Sequence, residues 1–172
     1  MLPIADGSDM GGSLRNPAAF CNVVGFRVSP GRVPDYPVTN AWYANLSVLG
    51  PMARTVEDCA LLLAAMAGPD DRCPNSLMTP GETFLEDLQS DPAGTRIAFS
   101  TDFGGQLPVQ SEVQAVVRTA AGVFEQLGCE VEEACPDFSG ADDVFKVLRS
   151  WSFAGRHGEN IRKHPLALES IW

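Results

Sequence analysis

The sequence predicts an α/β fold, a mixed β-sheet core flanked by helices, and three observations carry that prediction. Residues 96–134 read strand, helix, strand: an apolar run at Arg96-Ile97-Ala98-Phe99-Ser100, a helical period after Ser111, and alternation at Cys129-Glu130-Val131-Glu132. That order makes a right-handed βαβ unit with parallel strands. Residues 56–67 form a nearly all-apolar stretch of helical length, a pattern that belongs in an interior. Leu2, Ile4 and Ala5 read as the tail of a strand opening onto a glycine-rich turn, Gly7–Ser13. At 172 residues, 45% hydrophobic and 20% charged, the chain has the size and composition of one domain with its own core.

Each element has a local cause. Ala18–Phe26 is apolar, with Phe20, Val23, Val24 and Phe26, and suits buried packing behind the turn. Gly25, Pro30, Gly31 and Pro34 punctuate an irregular stretch. Between residues 35 and 50, Tyr36, Trp42, Tyr43 and Leu46 fit either a substrate-facing loop or local packing. Thr55 is an N-cap, with Glu57 and Asp58 in the first turn where the helix dipole favours negative charge. Gly68 and Pro69 end that helix. Phe84–Leu88 makes a short helical turn. Ser111-Glu112-Val113-Gln114 reads as a capping box. The helix behind it sets Val113, Val116, Val117, Ala120, Phe124 and Leu127 on one face, and Gly128 closes it. Residues 142–164 give a further helix, interrupted near Gly155 and Gly158 and ending before Pro165. A soft boundary falls at residues 69–94, with one continuous sheet expected across it.

The chemistry concentrates in Gly7-Ser8-Asp9-Met10-Gly11-Gly12-Ser13-Leu14-Arg15-Asn16-Pro17-Ala18. Gly11 and Gly12 can take positive φ and let a ligand reach the main chain. Amides gathered in such a turn form an anion-binding nest. Beside a serine hydroxyl that is the layout of an oxyanion hole around a nucleophile. Asp9 and Arg15 flank it, placed to hold the turn by charge-assisted hydrogen bonds. The plainer reading is a polar turn and nothing more. The spacing is not G-x-S-x-G, G-x-G-x-x-G or G-x-x-x-x-G-K-[ST], which excludes the α/β-hydrolase elbow and argues against a nucleotide loop.

A formal charge of −10 argues against a nucleic-acid partner. The five cysteines, Cys21, Cys59, Cys73, Cys129 and Cys135, are odd in number and form no CxxC pair. Cys59 and Cys129 read as small buried hydrophobes, and a reduced, cytoplasmic setting fits best. Neither His157 nor His164 stands at metal-ligand spacing with a cysteine, so no metal site is expected. The first residues carry no basic segment of a signal peptide, and the longest apolar run, Cys59–Ala67, is about half of a membrane span, so no membrane is expected.

The run Gly7–Ala18, its continuation Gly25-Phe26-Arg27-Val28-Ser29-Pro30-Gly31-Arg32-Val33-Pro34, and the block Leu49-Gly50-Pro51-Met52-Ala53-Arg54-Thr55-Val56-Glu57-Asp58 resemble the amidase signature family, in the right order. The likeness is strong over about the first seventy residues and general beyond them. It implies one partial domain over residues 1–172: a signature-bearing segment 1–68, a linker 69–94, and a βαβ and terminal helix segment 95–172. It implies an amide C–N hydrolase working through a Ser-cisSer-Lys mechanism, with Ser13 as the acylated nucleophile. Met10, Gly11, Gly12 and Ser13 would supply oxyanion-hole amides, and Asp9 and Arg15 would support the loop. The substrate would be a small amide, with no cofactor, and the partner a second copy or a complementing chain.

Two departures matter. The family's relay lysine and bridging serine, the latter in Gly-Ser-Ser-Gly-Gly, lie upstream of the nucleophile, while the lysines here are Lys146 and Lys163. The expectation is therefore a fragment cut at both ends and inactive by itself, a folded remnant or assembly module of an amidase. The family often has Lys-Pro-Thr where this chain has Arg27-Val28-Ser29. Asn45-Leu46-Ser47-Val48 and Asp71-Arg72-Cys73-Pro74 look unlike the tRNA-dependent amidotransferase subunits, which favours a free-standing amidase over an amidotransferase-like protein.

Overall fold

The computed structural model describes residues 2–38 and 46–164. The chain divides into two compact units, Met1–Gln89 with Val144–Trp172, and Ser90–Asp143. Helices and strands mix as an α/β fold requires. Among the described residues, however, the strands form two sheets where the sequence pattern predicts one, because each unit's strands bond among themselves.

In the first unit β1 (Ile4–Asp9) and β2 (Val24–Gly25) flank β3 (Val48–Ala53), all antiparallel. The register sets Ile4 against Ala53 and Asp9 against Val48. β1 thus runs on past Ala5 to Asp9: Gly7 and Ser8 are strand residues opposite Gly50 and Leu49, and the turn starts at Met10. β3 is a central strand despite Pro51, which lacks an N–H for the ladder. The Pro51 carbonyl accepts from the Phe26 amide at 3.0 Å. α1 (Arg15–Cys21) tolerates Pro17 because it falls in the first turn, where amide hydrogens have no helical acceptor. Phe20 on α1 is 90% exposed, against the expected burial, and Phe26 is also exposed.

α2 (Val56–Met66) starts where expected, with Thr55 Oγ1 accepting from the Asp58 amide at 3.1 Å. Its Cys59, Ala60 and Leu63 are buried, whereas Val56 and Leu61 are exposed. The helix covers β3 with one face and leaves the other open, so the all-apolar pattern overstates its burial. Val28, Val33, Val48 and Leu63 form the buried cluster, with Leu49, Met66, Ala67 and Phe84 against it. The short helical turn is present as α3 (Thr83–Glu86) and a 3-10 turn, Asp87–Gln89.

The second unit is the predicted βαβ. β4 (Arg96–Phe99) and β5 (Glu130–Glu133) pair in parallel, Ile97 opposite Val131, across α4 (Ser111–Gln126). β4 is not the buried strand expected, since Arg96 and Ala98 are exposed. The capping box does not form. Gln110 is the N-cap, without a side-chain bond, while Ser111 Oγ turns to Glu112 Oε2 at 3.1 Å and Gln114 Nε2 donates to Val109 O at 3.0 Å. Ala121 is α4's buried residue, and Val113, Val116, Phe124 and Leu127 are exposed.

α5 (Ala141–Lys163) runs unbroken through Gly155 and Gly158. Asp142 and Asp143 open it, and Arg162 and Lys163 close it, in agreement with the helix dipole. Among the described residues no helix is long and apolar enough to cross a membrane.

Candidate active site

Asp9, the last residue of β1, is fully buried and organises the turn that follows. Its Oδ1 accepts from the Gly12 amide at 2.7 Å, and its Oδ2 from the Leu14 amide at 3.2 Å. Arg15 closes a fork on the same carboxylate, Nε to Oδ2 at 2.9 Å and Nη2 to Oδ1 at 3.1 Å. The Arg15 fork holds the Asp9 carboxyl well below the usual carboxylate range; burial opposes this, and the Gly12 and Leu14 amides reinforce it.

Sequence reasoning missed a third partner. Arg27 Nη1 donates to the main-chain oxygen of Asp9 and lies 3.4 Å from Oδ1. Its Nη2 donates to Leu46 O at 2.9 Å. The one available signal was chemical: the family often has a lysine, another cation, at this place after Gly25.

The geometry leaves Ser13 between two fixed neighbours. Gly12 takes φ +125°, which an L side chain rarely adopts, and its carbonyl accepts from the Asn16 amide at 2.8 Å. Leu14 is fully buried. It fits because a Cβ on Gly50 would stand 2.8 Å from Leu14 Cδ1 and 2.4 Å from Phe26 O. With Gly12 and Leu14 tied down, the Ser13 side chain is exposed.

One expected oxyanion donor is otherwise engaged. The Gly12 N–H is held by the Asp9 carboxylate in a charge-assisted bond. Among the described residues no hydrogen bond engages the amides of Met10, Gly11 or Ser13. Phe145 of α5 comes close to this turn, its Cζ 3.9 Å from where a Cβ on Gly11 would sit, and nothing in the sequence pattern points to that approach.

The other candidates lie elsewhere. Lys163 Nζ pairs with Glu159 at 2.6 Å, and the His157 ring packs on Phe153 with centroids 4.7 Å apart. Tyr36 stacks under Arg72, 5.1 Å from its guanidinium, while Trp42 and Tyr43 lie outside the described residues. All five cysteines are free thiols, with Cys59 and Cys129 buried as expected. Among the described residues no group of three His, Cys, Asp or Glu is placed to hold a metal ion. An apolar groove of about 450 Å³ beside α2, lined by Val24, Phe26, Cys59, Leu63, Phe84 and Leu88 among others, contains no residue of the turn.

Comparison with known proteins identifies the family. A family model described as Amidase matches residues 1–165. An acylamidase of Rhodococcus erythropolis is 40% identical over 137 residues, 79% of this chain and 28% of the relative. A glutamyl-tRNA(Gln) amidotransferase subunit of Dechloromonas aromatica is 41% identical over 133 residues, 77% of this chain and 27% of the relative. The chain therefore spans little more than a quarter of the curated relatives it matches. Among solved structures, a bacterial aryl acylamidase of the amidase signature enzymes superposes with TM-score 0.71 at 40% identity, over 78% of this chain and 27% of that one. The corresponding glutamyl-tRNA(Gln) amidotransferase subunit of Thermotoga maritima gives 0.76 over 99% of this chain and 38% of that one; at 23% identity it speaks to the fold alone. With the family model matched over residues 1–165, the chain belongs to the amidase signature family.

Proposed function

We propose that this chain carries the nucleophile and oxyanion turn of an amide C–N hydrolase, with Ser13 as the acyl acceptor. The observation that supports it most is the Asp9 clamp: both amides flanking Ser13 are fixed to one buried carboxylate while the serine itself is exposed. In this proposal Ser13 Oγ attacks the amide carbon, and the Met10, Gly11 and Ser13 N–H groups receive the developing oxyanion. The C–N bond then breaks as the amine takes up a proton, and water releases the acyl group from Ser13. Gly12 shapes the turn and does not donate.

Removing a proton from Ser13 requires a base, and the family's Ser-cisSer-Lys relay supplies it from a lysine through a second serine. Lys163 is exposed and engaged by Glu159, which suits neither role. In the proposal the lysine and bridging serine stand outside this sequence, on the same polypeptide or a complementing one. The 172-residue chain alone would then hydrolyse amides several orders of magnitude more slowly than a complete site. Small aryl or alkyl acylamides are the proposed substrates, by likeness to the acylamidase relative. The five free thiols suit a reducing, cytoplasmic setting.

A second reading is an amidotransferase component that assembles with other chains, favoured by the 41% identity of the Dechloromonas aromatica relative, beside 40% for the acylamidase. Assay of the protein with its lysine-bearing segment present separates these. Hydrolysis of an aryl acylamide should fall by at least about 10³-fold in Ser13→Ala. Full activity in that variant removes Ser13 from the mechanism; glutamine-dependent ammonia release in place of acylamide cleavage selects the second reading.

A further inference from the structure

We infer that Arg27 polarises the Asp9–Met10 peptide and so makes the Met10 N–H the strongest donor to an oxyanion at Ser13. Arg27 would be a positioning residue, acting through the main chain and not on the substrate; the inference rests on the oxyanion reading proposed above. The Asp9 carbonyl and the Met10 N–H belong to one planar, conjugated peptide unit. Arg27 Nη1 donates to that carbonyl oxygen, while Nη2 is anchored on Leu46 O at 2.9 Å, so the guanidinium is held from both ends. A cation bonded to the oxygen draws electron density toward it and leaves more positive charge on the N–H opposite.

Charge counting supports the same conclusion. The single Asp9 carboxylate faces two guanidiniums, Arg15 at 2.9 Å and Arg27 at 3.4 Å, so these three groups carry one positive charge in excess. Arg15 already occupies both carboxylate oxygens with its fork. The excess is shared by the two guanidiniums, and Arg27 brings its part onto the main chain. Its side chain is 26% exposed against 53% for Arg15, so water screens it less.

The test uses the purified chain with Arg27→Gln and Arg27→Lys, read by two measurements. The first is the Met10 ¹⁵N resonance, which reports the hydrogen bond on the preceding carbonyl. It should move upfield in the glutamine variant and part of the way in the lysine variant, which keeps a cation but loses the fork to Leu46. The second, made on the protein with its lysine-bearing segment present, is the labelling of Ser13 by a fluorophosphonate. Its maximal rate should fall about tenfold in Arg27→Gln, less than loss of a whole oxyanion donor, with half-saturation unchanged and most of the rate restored in Arg27→Lys. A Met10 resonance unmoved in Arg27→Gln overturns the inference, as does a glutamine variant labelled on Ser13 at the unaltered rate. Should the glutamine variant not fold, an unmoved Met10 resonance in Arg27→Lys overturns it instead. No Ser13-dependent labelling in the protein with its lysine-bearing segment present, with Met10 still tracking Arg27, defeats the nucleophile assignment and leaves the polarisation standing.

Discussion

The turn between β1 and α1 and the βαβ unit differ in where their order comes from. In the turn the order comes from specific partners and not from a period. Asp9 binds residues three, five, six and eighteen positions away, and Leu14 is seated against Gly50 of β3. In the βαβ unit the order follows helical and strand periods, and the side chains do little more: α4 has no side-chain cap, and most of its apolar face is open. A region built to hold one atom in place needs many partners per residue. A region built to continue a fold needs only the right pattern, and its exposed apolar face is where further structure can pack.

Three substitutions would break or sharpen that contrast. The largest effect is expected from Leu14→Ala, which empties a fully buried site among rigid backbone neighbours and should cost about 3–4 kcal/mol in urea unfolding. A loss below about 1 kcal/mol would mean that the turn is not seated by this side chain.

Asp9→Asn comes next. It keeps the shape, removes the charge facing Arg15 and Arg27, and weakens the bonds to Gly12 and Leu14. A cost of about 2–3 kcal/mol is expected, tempered by the exposure of Arg15. The pH dependence gives a second reading of the same clamp. Because the folded Asp9 carboxyl lies below its unfolded value of about 3.9, its contribution is complete above that pH and drains away as pH falls toward the folded value. The acid limb of stability against pH should therefore be shallower in Asp9→Asn than in the unaltered chain. Equal slopes would show that the clamp does not discriminate between the ionised and neutral acid.

The smallest effect is expected from Val116→Lys on α4, whose side chain is 68% exposed. Stability should change by less than about 0.5 kcal/mol. A cost approaching that of Leu14→Ala would show that this face is covered in solution and that the contrast between the regions is overstated.

The same contrast explains what could be read from the sequence. α2, α4 and β5 were legible because each rests on a local period or cap: Thr55 caps α2 as expected, and βαβ pairing follows from element order. β3 was not legible. Gly50 and Pro51 break any strand pattern there, and the strands on either side, with Phe26 bonding to Pro51 O, make a strand of them. The capping box failed for the opposite reason, since Ser111 found a nearer partner in Glu112 than in the helix backbone. At the site, Asp9, Arg15 and Ser13 were visible because they share one short motif. Arg27 and Phe145 were not, because the fold brings them from eighteen residues away and from another helix. The engagement of the Gly12 amide was hidden too, since a motif records which amides are present and not which a neighbouring carboxylate has taken.

The most direct measurement is peptide mapping of the protein, with its lysine-bearing segment present, after exposure to a fluorophosphonate. The phosphonyl adduct should sit on Ser13 and nowhere else, form more slowly once Asp9→Asn loosens the clamp, and disappear in Ser13→Ala. An adduct on any other hydroxyl, or one on Ser13 that forms as fast in Asp9→Asn, would contradict the claim that the clamp presents this serine for acyl transfer.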